Sequence, residues 1–210
     1  MDSELGRYDY RKGELLEEDL QSDPIQALKD WLEVAQAASV IEPMAMCLST
    51  VNSEGRPSSR MVLLRGIDEL GLRFFSNYES RKGHDLAVNP YAALNFWWST
   101  LERQVRAEGR VQRLSDSESD AYFTSRPYES QLASAASPQS QVVPEREYLD
   151  RLVDELGSRY PTDVPRPSHW GGYVLVPDRI EFWQGRPARL HDRIEFVLQD
   201  KVWRKQRLAP

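Results

Sequence analysis

A stretch of alternating strand and turn signals between residues 43 and 113 constrains the fold more than any other feature of this chain. Its runs are rich in β-branched and aromatic residues, and turn sequences such as Asn52-Ser53-Glu54-Gly55 and Asp68-Glu69-Leu70-Gly71 separate them. This spacing is typical of an antiparallel meander. Strands are predicted at 44–51, 58–65, 72–77, 91–98 and 104–114.

Helix signals precede this stretch, interrupt it and follow it. Asp23-Pro24-Ile25-Gln26 supplies an N-cap, a proline in the first turn and a glutamine at N3, and the periodicity that follows predicts a helix to about Ser39. A shorter helix is expected over 80–89. The capping box Ser115-Asp116-Ser117-Glu118 opens another, and helical periodicity returns over 144–160.

The last 40 residues return to strand-like runs. Either β part alone would leave open edges, so the late strands are expected to complete the early ones in one barrel or strongly bent sheet. The predicted fold is mainly β with flanking helices (α+β). Residues 1–22 are polar and are expected to form a mobile arm or lid, and 23–210 a single domain. The late strands are predicted at 172–176, 179–183, 193–198 and 202–208.

Charge and composition exclude several classes of protein. A formal net charge of −6 gives no overall positive field for nucleic acid or anionic lipid, and no run of residues is apolar enough to cross a membrane. Cys47, the one cysteine, is expected to be a small buried hydrophobic residue, which fits a reducing compartment. Because the N-terminus lacks a signal-peptide pattern, a cytoplasmic location is expected.

Common catalytic and metal-binding motifs are absent. The chain has no Gly-x-Gly-x-x-Gly, Walker, His-Glu-x-x-His or Gly-x-Ser-x-Gly sequence. Its three histidines, His84, His169 and His191, are far apart in sequence, and a single cysteine offers no thiolate pair. No metal site is therefore expected.

Two groups of residues have the chemistry of anion sites. Arg60 joins Arg81 and Lys82, which stand at a predicted helix start where free N–H groups would face a phosphate, although exposed basic residues there are often only solvated. Spacings of four bring a phenol, a guanidinium and a hydroxyl to one side of a helix or of a helix followed by a turn, a set that suits phosphate. This second group is Tyr122, Arg126 and Ser130.

A third group lies near the C-terminus. In strand geometry Arg189, His191 and Arg193 would share one face, directly after the aromatic segment Glu181-Phe182-Trp183-Gln184-Gly185. That face is either an ordinary exposed face of a strand or a surface for a flat anionic ligand. Three polar residues elsewhere, Gln104, Gln139 and Ser140, are by themselves ordinary surface or turn residues.

Taken in order, these segments resemble the pyridoxine (pyridoxamine) 5′-phosphate oxidase family. The resemblance runs from about residue 7 to 210 and is specific because many ordered segments share it. The segments are Arg60-Met61-Val62-Leu63-Leu64-Arg65, Ser80-Arg81-Lys82, Thr100-Leu101-Glu102-Arg103-Gln104-Val105, Ser125-Arg126-Pro127, Trp170-Gly171-Gly172-Tyr173, Glu181-Phe182-Trp183-Gln184-Gly185, Arg189-Leu190-His191-Asp192-Arg193 and Arg207-Leu208-Ala209-Pro210.

The resemblance implies an FMN-binding split β-barrel that forms a homodimer with FMN between the subunits. It assigns the cations Arg60, Arg81 and Lys82 to the FMN phosphate. The residues that it implies around FMN are Arg60, Met61, Val62, Leu63, Leu64, Arg65, Phe75, Ser76, Arg81, Lys82, Gln104, Gln139, Ser140, Trp183 and Arg193.

It also implies a substrate site for a vitamin B6 phosphate. Arg189 and His191 would contact the pyridine ring, orient it and stabilise charge as hydride passes from C4′ to flavin N5, with no general base assigned. Arg7 and Tyr10 match a segment of the arm that closes over the substrate. Oxygen would reoxidise the flavin and give hydrogen peroxide. The residues implied at the substrate phosphate are Arg65, Tyr122, Arg126 and Ser130.

The sequence departs from the family pattern at several positions, and two other functions remain open. Arg65 stands where many members carry lysine, so a forked cation replaces a point charge, and Trp97-Trp98 and Ala133-Ser134-Ala135-Ala136 also differ. One alternative is a related oxidase for another flat substrate, as in phenazine pathways. The other is a carrier of FMN or pyridoxal phosphate without turnover.

Overall fold

The computed structural model describes residues 9–210, which form one curled antiparallel sheet with flanking helices. Nine strands follow each other as β1 (Ala45–Val51), β2 (Pro57–Leu63), β3 (Gly66–Ile67), β4 (Leu72–Asn77), β5 (Tyr91–Trp98), β6 (Arg103–Arg113), β7 (Trp170–Gln184), β8 (Asp192–Gln199) and β9 (Val202–Arg207). The α-helices are α1 (Pro24–Ala37), α2 (Arg81–Val88), α3 (Asp116–Thr124), α4 (Tyr128–Ala136) and α5 (Arg146–Arg159).

The sheet order is β2-β1-β5-β6-β7-β4-β3, and β8 and β9 extend it from β7. Every pair is antiparallel. The late strand β7 pairs with both β4 and β6, so the C-terminal part completes the early meander as the sequence predicts. The predicted mainly β fold with flanking helices is confirmed, and the sheet curls into a half-barrel.

One long strand replaces the two that the sequence predicts at 172–176 and 179–183. Strand β7 continues through Pro177, and an extra residue on β7, Asp178, forms a bulge between the partners of Glu108 and Gly109 on β6. A Cβ on Gly109 would lie 2.1 Å from the carbonyl oxygen of Val176, so only glycine permits this approach. The interruption in the sequence pattern therefore marks a bend within one strand.

Aromatic and aliphatic side chains fill the concave side of the sheet. Trp31 on α1 packs edge-on against Phe182, with ring centroids 5.0 Å apart, and Leu28 on the same helix is fully buried. A smaller cluster lies under α3, α4 and α5 and includes Phe123 and Trp170.

The helix predicted to end near Ser39 and the one predicted over 80–89 are both present as α1 and α2.

Three local expectations need correction. The segment before residue 23 is not outside the fold throughout, because Leu15 and Leu20 are buried in the main core. Cys47 is half-buried rather than enclosed. The turn after Tyr122 starts a separate helix, α4, because Ser125-Arg126-Pro127 breaks the chain direction and Pro127 is its N-cap. Whether residues 1–22 act as a lid stays a prediction.

Among the described residues, no helix combines the length and the apolar character that crossing a membrane requires.

The burial of Leu15 yields a stability prediction with its neighbour as control. Leu15 is 2% exposed and Leu16 is 40% exposed. We expect Leu15→Ala to lower the free energy of unfolding by about 2–5 kcal/mol through the lost burial and the cavity left behind. Leu16→Ala should cost less than about 1 kcal/mol. Urea denaturation at one fixed protein concentration measures both, and equal losses would contradict the docking of this segment.

Candidate active site

A cavity of about 610 Å³ opens beside β2, β4 and the start of α2. Among the described residues that line it, five are cationic and none is acidic, in a protein whose net charge is −6. Such a concentration of positive charge favours an anionic ligand. The lining residues are Ser58, Ser59, Arg60, Met61, Val62, Leu63, Arg65, Phe75, Ser76, Arg81, Lys82, Tyr122, Arg126, Ser134, Gln139, Ser140 and Trp170.

One end of the cavity holds a buried lysine at a helix start. Ser80 caps α2 and accepts the N–H of Gly83, which leaves Arg81 and Lys82 in the first turn. The Nζ of Lys82 donates to neutral oxygens, Gln139 Oε1 at 2.8 Å and Ser80 Oγ at 3.0 Å. Burial, with the nearby charge of Arg60, lowers the pKa of Lys82 to about 8. A phosphate at this helix start would stabilise the charged form.

Arg60 is held in place by a buried carboxylate. Its Nη2 lies 3.8 Å from Asp85 Oδ2, and its Nη1 donates to Thr50 Oγ1 at 2.7 Å. Thr50 itself donates to Asp85 at 2.6 Å, so one acidic group orients both side chains. Asp85 lies outside the cavity lining, and the sequence analysis missed it. No local pattern signals this contact, because Asp85 on α2 meets Arg60 on β2 and Thr50 on β1 only through the fold.

The other end of the cavity contains an arginine with an unused donor. Arg126 Nη1 is buried without a hydrogen-bond partner, and its guanidinium lies 4.7 Å from the centre of the Trp170 ring. Burial lowers the pKa of Arg126, and the positive charge of Arg65 adds to that effect. An unpaired buried donor is costly, so this end also fits an anion.

Three aromatic rings, those of Phe75, Tyr122 and Trp170, form part of the cavity wall. Phe75 stacks on Tyr122 with centroids 3.8 Å apart, and Trp170 lies nearly parallel to both. Arg60 and Arg65 are five residues apart on β2 and just beyond it, which is about 16 Å of extended chain. The cavity therefore offers cations at both ends of a partly aromatic wall, as a flat ligand with phosphate groups requires.

A second group of predicted residues lies elsewhere on the sheet. The rings of Trp183 and His191 are 4.7 Å apart, and Tyr10 packs edge-on against both at 5.5 Å. Gln104 is opposite Trp183 on β6. Trp170 in the cavity wall and Trp183 are thirteen residues apart on β7, about 40 Å of extended strand, and the bend shortens the direct distance.

The predicted strand face of Arg189, His191 and Arg193 does not form. Strand β8 begins at Asp192, and Arg189 ends the 3-10 turn Pro187–Arg189 with a left-handed φ of 62°. Arg193 is on β8, where its Nε and Nη2 bind the buried Glu181 at 2.8 and 3.0 Å. A strand pattern read through residues 189–191 was wrong because a turn with positive φ values precedes the strand.

The structure gathers most, but not all, of the predicted site residues. Leu64 is buried in the core and Ser130 is half-buried on α4, and neither lines the cavity. Arg7 lies outside the described residues. The lining residues that were missed as site residues are Ser58, Ser59, Ser134 and Trp170. The predicted site residues that line the cavity are Arg60, Met61, Val62, Leu63, Arg65, Phe75, Ser76, Arg81, Lys82, Tyr122, Arg126, Gln139 and Ser140.

Comparison with known families shows to which family the chain belongs. The model of the family described as pyridoxamine 5′-phosphate oxidase matches residues 32–160. A second model, described as the pyridoxine 5′-phosphate oxidase C-terminal dimerisation region, matches 170–210. The chain belongs to the pyridoxamine 5′-phosphate oxidase family.

Individual members of the pyridoxamine 5′-phosphate oxidase family match over nearly the whole length. The pyridoxine/pyridoxamine 5′-phosphate oxidase of Cupriavidus necator is 54% identical over 205 residues, covering 97% of each chain. The protein of the same name from Neisseria gonorrhoeae is 51% identical over all 210 residues of both chains. Among solved structures, PhzG from Burkholderia lata 383, in complex with tetrahydrophenazine-1-carboxylic acid, has a TM-score of 0.88 and 34% identity. It covers 93% of this chain and 98% of its own.

The environment of His191 makes its charge state predictable. Nδ1 of His191 accepts the backbone N–H of Arg186 at 3.1 Å, which requires that nitrogen to be unprotonated. Burial and then the charge of Arg189 lower the pKa of His191 below 6.5. The ring is therefore neutral at pH 7, with its proton on Nε2.

An NMR titration of the histidine ring protons tests this assignment. We expect the midpoint of His191 below pH 6.5, and Arg189→Gln should raise it because a nearby positive charge is removed. An unchanged His191 midpoint in Arg189→Gln would show that Arg189 does not act on the ring.

Proposed function

We propose that this chain holds FMN in the cavity and oxidises pyridoxine 5′-phosphate and pyridoxamine 5′-phosphate to pyridoxal 5′-phosphate. The observation that carries the proposal is the cavity with cations at both ends and no acidic residue among its described lining. Two phosphate-bearing molecules with flat rings need such a pair of anion sites. Family membership and the names of full-length relatives support the same conclusion.

Residues at the helix start suit the FMN phosphate. Arg60, Arg81 and Lys82 supply positive charge there, and the free N–H groups of α2 add their donors. Gln139 bridges Lys82 and Ser76, so it fixes the lysine at this end. When bound, FMN supplies the acceptor for a hydride from C4′ of the substrate, and dioxygen takes up two electrons and two protons as hydrogen peroxide.

Residues at the opposite end suit the substrate phosphate. Arg126 presents its unpaired Nη1, and Arg65 adds a second forked cation next to it. Tyr122 contributes a hydroxyl and a ring in contact with Phe75. Holding the phosphate here fixes where C4′ lies, which is the main contribution of the protein to the rate. The alcohol becomes the aldehyde, while the amine becomes an imine that water hydrolyses to the aldehyde and ammonia.

The remaining predicted residues reach this chemistry if two copies of the chain combine. Trp183, Arg189 and His191 all lie in the segment that matches the dimerisation region. In one chain they lie at the far end of β7 from the cavity wall at Trp170. We propose a homodimer in which the second copy brings these residues over the cavity. There the Nε2 of neutral His191 donates a hydrogen bond to the pyridine ring. Arg189 stabilises negative charge on the substrate. A cytoplasmic location remains a prediction from the sequence.

One other activity has an observation in its favour. The fold of PhzG, solved with a tetrahydrophenazine carboxylic acid, is close to this one, so a related oxidase for a phosphate-free flat substrate is the alternative. The unpaired donor of Arg126 beside Arg65 favours the phosphate substrate, since a phosphate carries more charge and more acceptor oxygens than a carboxylate and can engage both cations at once.

The proposed reaction is tested by anaerobic mixing of FMN-loaded protein with pyridoxine 5′-phosphate or pyridoxamine 5′-phosphate. We expect the flavin absorbance to bleach, and the admission of oxygen to restore it with one aldehyde and one peroxide formed per flavin. Dephosphorylated pyridoxine serves as the matched control and should bleach the flavin far more slowly. Full flavin loading without bleaching by either phosphate would contradict the oxidase and support a carrier or another substrate.

The lowered pKa of Lys82 predicts how FMN binding depends on pH. Free protein loses the Lys82 proton near pH 8, whereas bound phosphate favours the protonated form. Affinity for FMN should therefore fall about tenfold between pH 7 and pH 9.

Quenching of flavin fluorescence measures this affinity. Lys82→Arg should make it nearly independent of pH over this range, since arginine stays charged. Riboflavin, which lacks the phosphate, is the ligand control and should show no such fall. The same decline in Lys82→Arg as in the original protein would exclude Lys82 as its cause.

A further inference from the structure

A buried glutamate in the turn between β5 and β6 is not used by the proposed reaction. Glu102 is 1% exposed and has a left-handed backbone with φ of 54°. Its Oε2 accepts two backbone N–H groups from the N-terminal segment, those of Arg11 and Lys12, both at 2.8 Å. Bonds from amides to a carboxylate are about twice as strong as neutral ones. The acidic side chain therefore fixes this part of the arm.

The backbone of the same residue holds the end of β7. The carbonyl oxygen of Glu102 accepts the N–H of Gly185 at 2.8 Å and Nε2 of Gln184 at 3.2 Å. Gly13 passes close to the side-chain amide of Gln184, since a Cβ on residue 13 would lie 3.2 Å from it. Glu102 thus joins the arm to the strand end that carries Trp183.

Tyr10 is seated by this arrangement. Tyr10 directly precedes Arg11 and Lys12, whose amides Glu102 binds. Its ring packs on Trp183 and His191, and the side chain of Arg11 binds Asp9. The seat exists because residue 185 is glycine: a Cβ there would lie 2.6 Å from Cγ of Tyr10. The anchor at Arg11 and Lys12 and the seat of Tyr10 are therefore adjacent along the chain.

We propose that Glu102 is a positioning residue that holds Tyr10 over Trp183 and His191, so that the arm covers the substrate side of the site. The inference rests on the proposed function for what the arm covers. Other contacts, such as the N–H of Leu15 on Asp192 at 3.0 Å, anchor the chain further along. Loss of the Glu102 carboxylate should therefore loosen residues 9–12 and leave the core in place.

Trypsin provides a test that does not depend on activity, because Arg11 and Lys12 are themselves cleavage sites. We expect Glu102→Ala to speed cleavage after these residues at least about tenfold, through loss of two charge-assisted bonds. Glu102→Gln keeps an acceptor oxygen and should stay within about threefold of the original rate. Glu147→Ala removes an exposed carboxylate on α5 and should match the original protein.

Kinetics separates positioning from a general loss of structure. With the arm released, the KM for pyridoxine 5′-phosphate should rise about fivefold or more while kcat stays within about twofold, because the covering contact adds binding rather than chemistry. A merely structural role would reduce the amount of active enzyme and leave KM unchanged. Unchanged cleavage and unchanged KM in Glu102→Ala would overturn the inference, as would a freed arm with an unchanged KM.

A second variant covers the case in which Glu102→Ala does not fold. Gly185→Ala displaces the Tyr10 ring and leaves the carboxylate anchor intact, so KM should rise while cleavage after Arg11 and Lys12 stays slow. An unchanged KM in this variant would contradict the role of the seat. If the original protein oxidises neither B6 phosphate yet Glu102→Ala still frees the arm, the anchor is supported and the proposed function has failed.

Discussion

The bend in β7 is the constraint on which the rest of the structure depends. A single strand of 15 residues pairs along its length with β6, and it pairs with β4 in its first part and β8 in its last. That exchange of partners takes place at the bulge of Asp178 on β7, beside which Gly109 on β6 lies against the carbonyl of Val176. The bend curls the sheet, and it sets the cavity wall at one end of the strand and Trp183 at the other.

The cavity is positively charged although the protein as a whole carries a negative net charge. The chain carries −6 overall, yet five cations line one cavity. Their mutual repulsion and burial are tolerated because Asp85 holds Arg60 from outside the lining, while neutral groups hold Lys82. A cavity of this kind stores unfavourable charge that a bound phosphate relieves. The acidic balance of the surface does not bear on what the site binds.

The elements with strong local signals could be predicted from the sequence, and the failures have definite causes. The N-cap at Asp23 and the capping box at Ser115 are both present with the expected hydrogen bonds. Two strands were predicted at 172–176 and 179–183 because Pro177 and the bulge at Asp178 interrupt the local periodicity of a single strand. Turns with positive φ at non-glycine residues, as at Arg189, carry no such signal either.

For the candidate site, residue type was predictable and grouping was not. Resemblance to the family supplied a single set, but the structure divides that set between the cavity and the far end of β7. Periodicity cannot show such a division, because it depends on how a sheet curls. Arg193 illustrates the consequence: its guanidinium is engaged by Glu181 and by the carbonyl of Ala209 in this chain. Its cofactor role stays a prediction.

The arm shows how a polar segment can be ordered without a periodic apolar pattern. Two leucines, Leu15 and Leu20, enter the core, and Glu102 fixes the residues before them through backbone amides. Every residue except proline has a backbone N–H whatever its side chain, so helix and strand patterns in the sequence do not predict that such a segment is ordered. Because bonds to Glu102 and Thr100 and the ring packing of Tyr10 hold residues 9–12, rather than burial in the main core, these residues can open at a much smaller free-energy cost than the core. A cover built in this way can admit a substrate while the sheet beneath it keeps its shape.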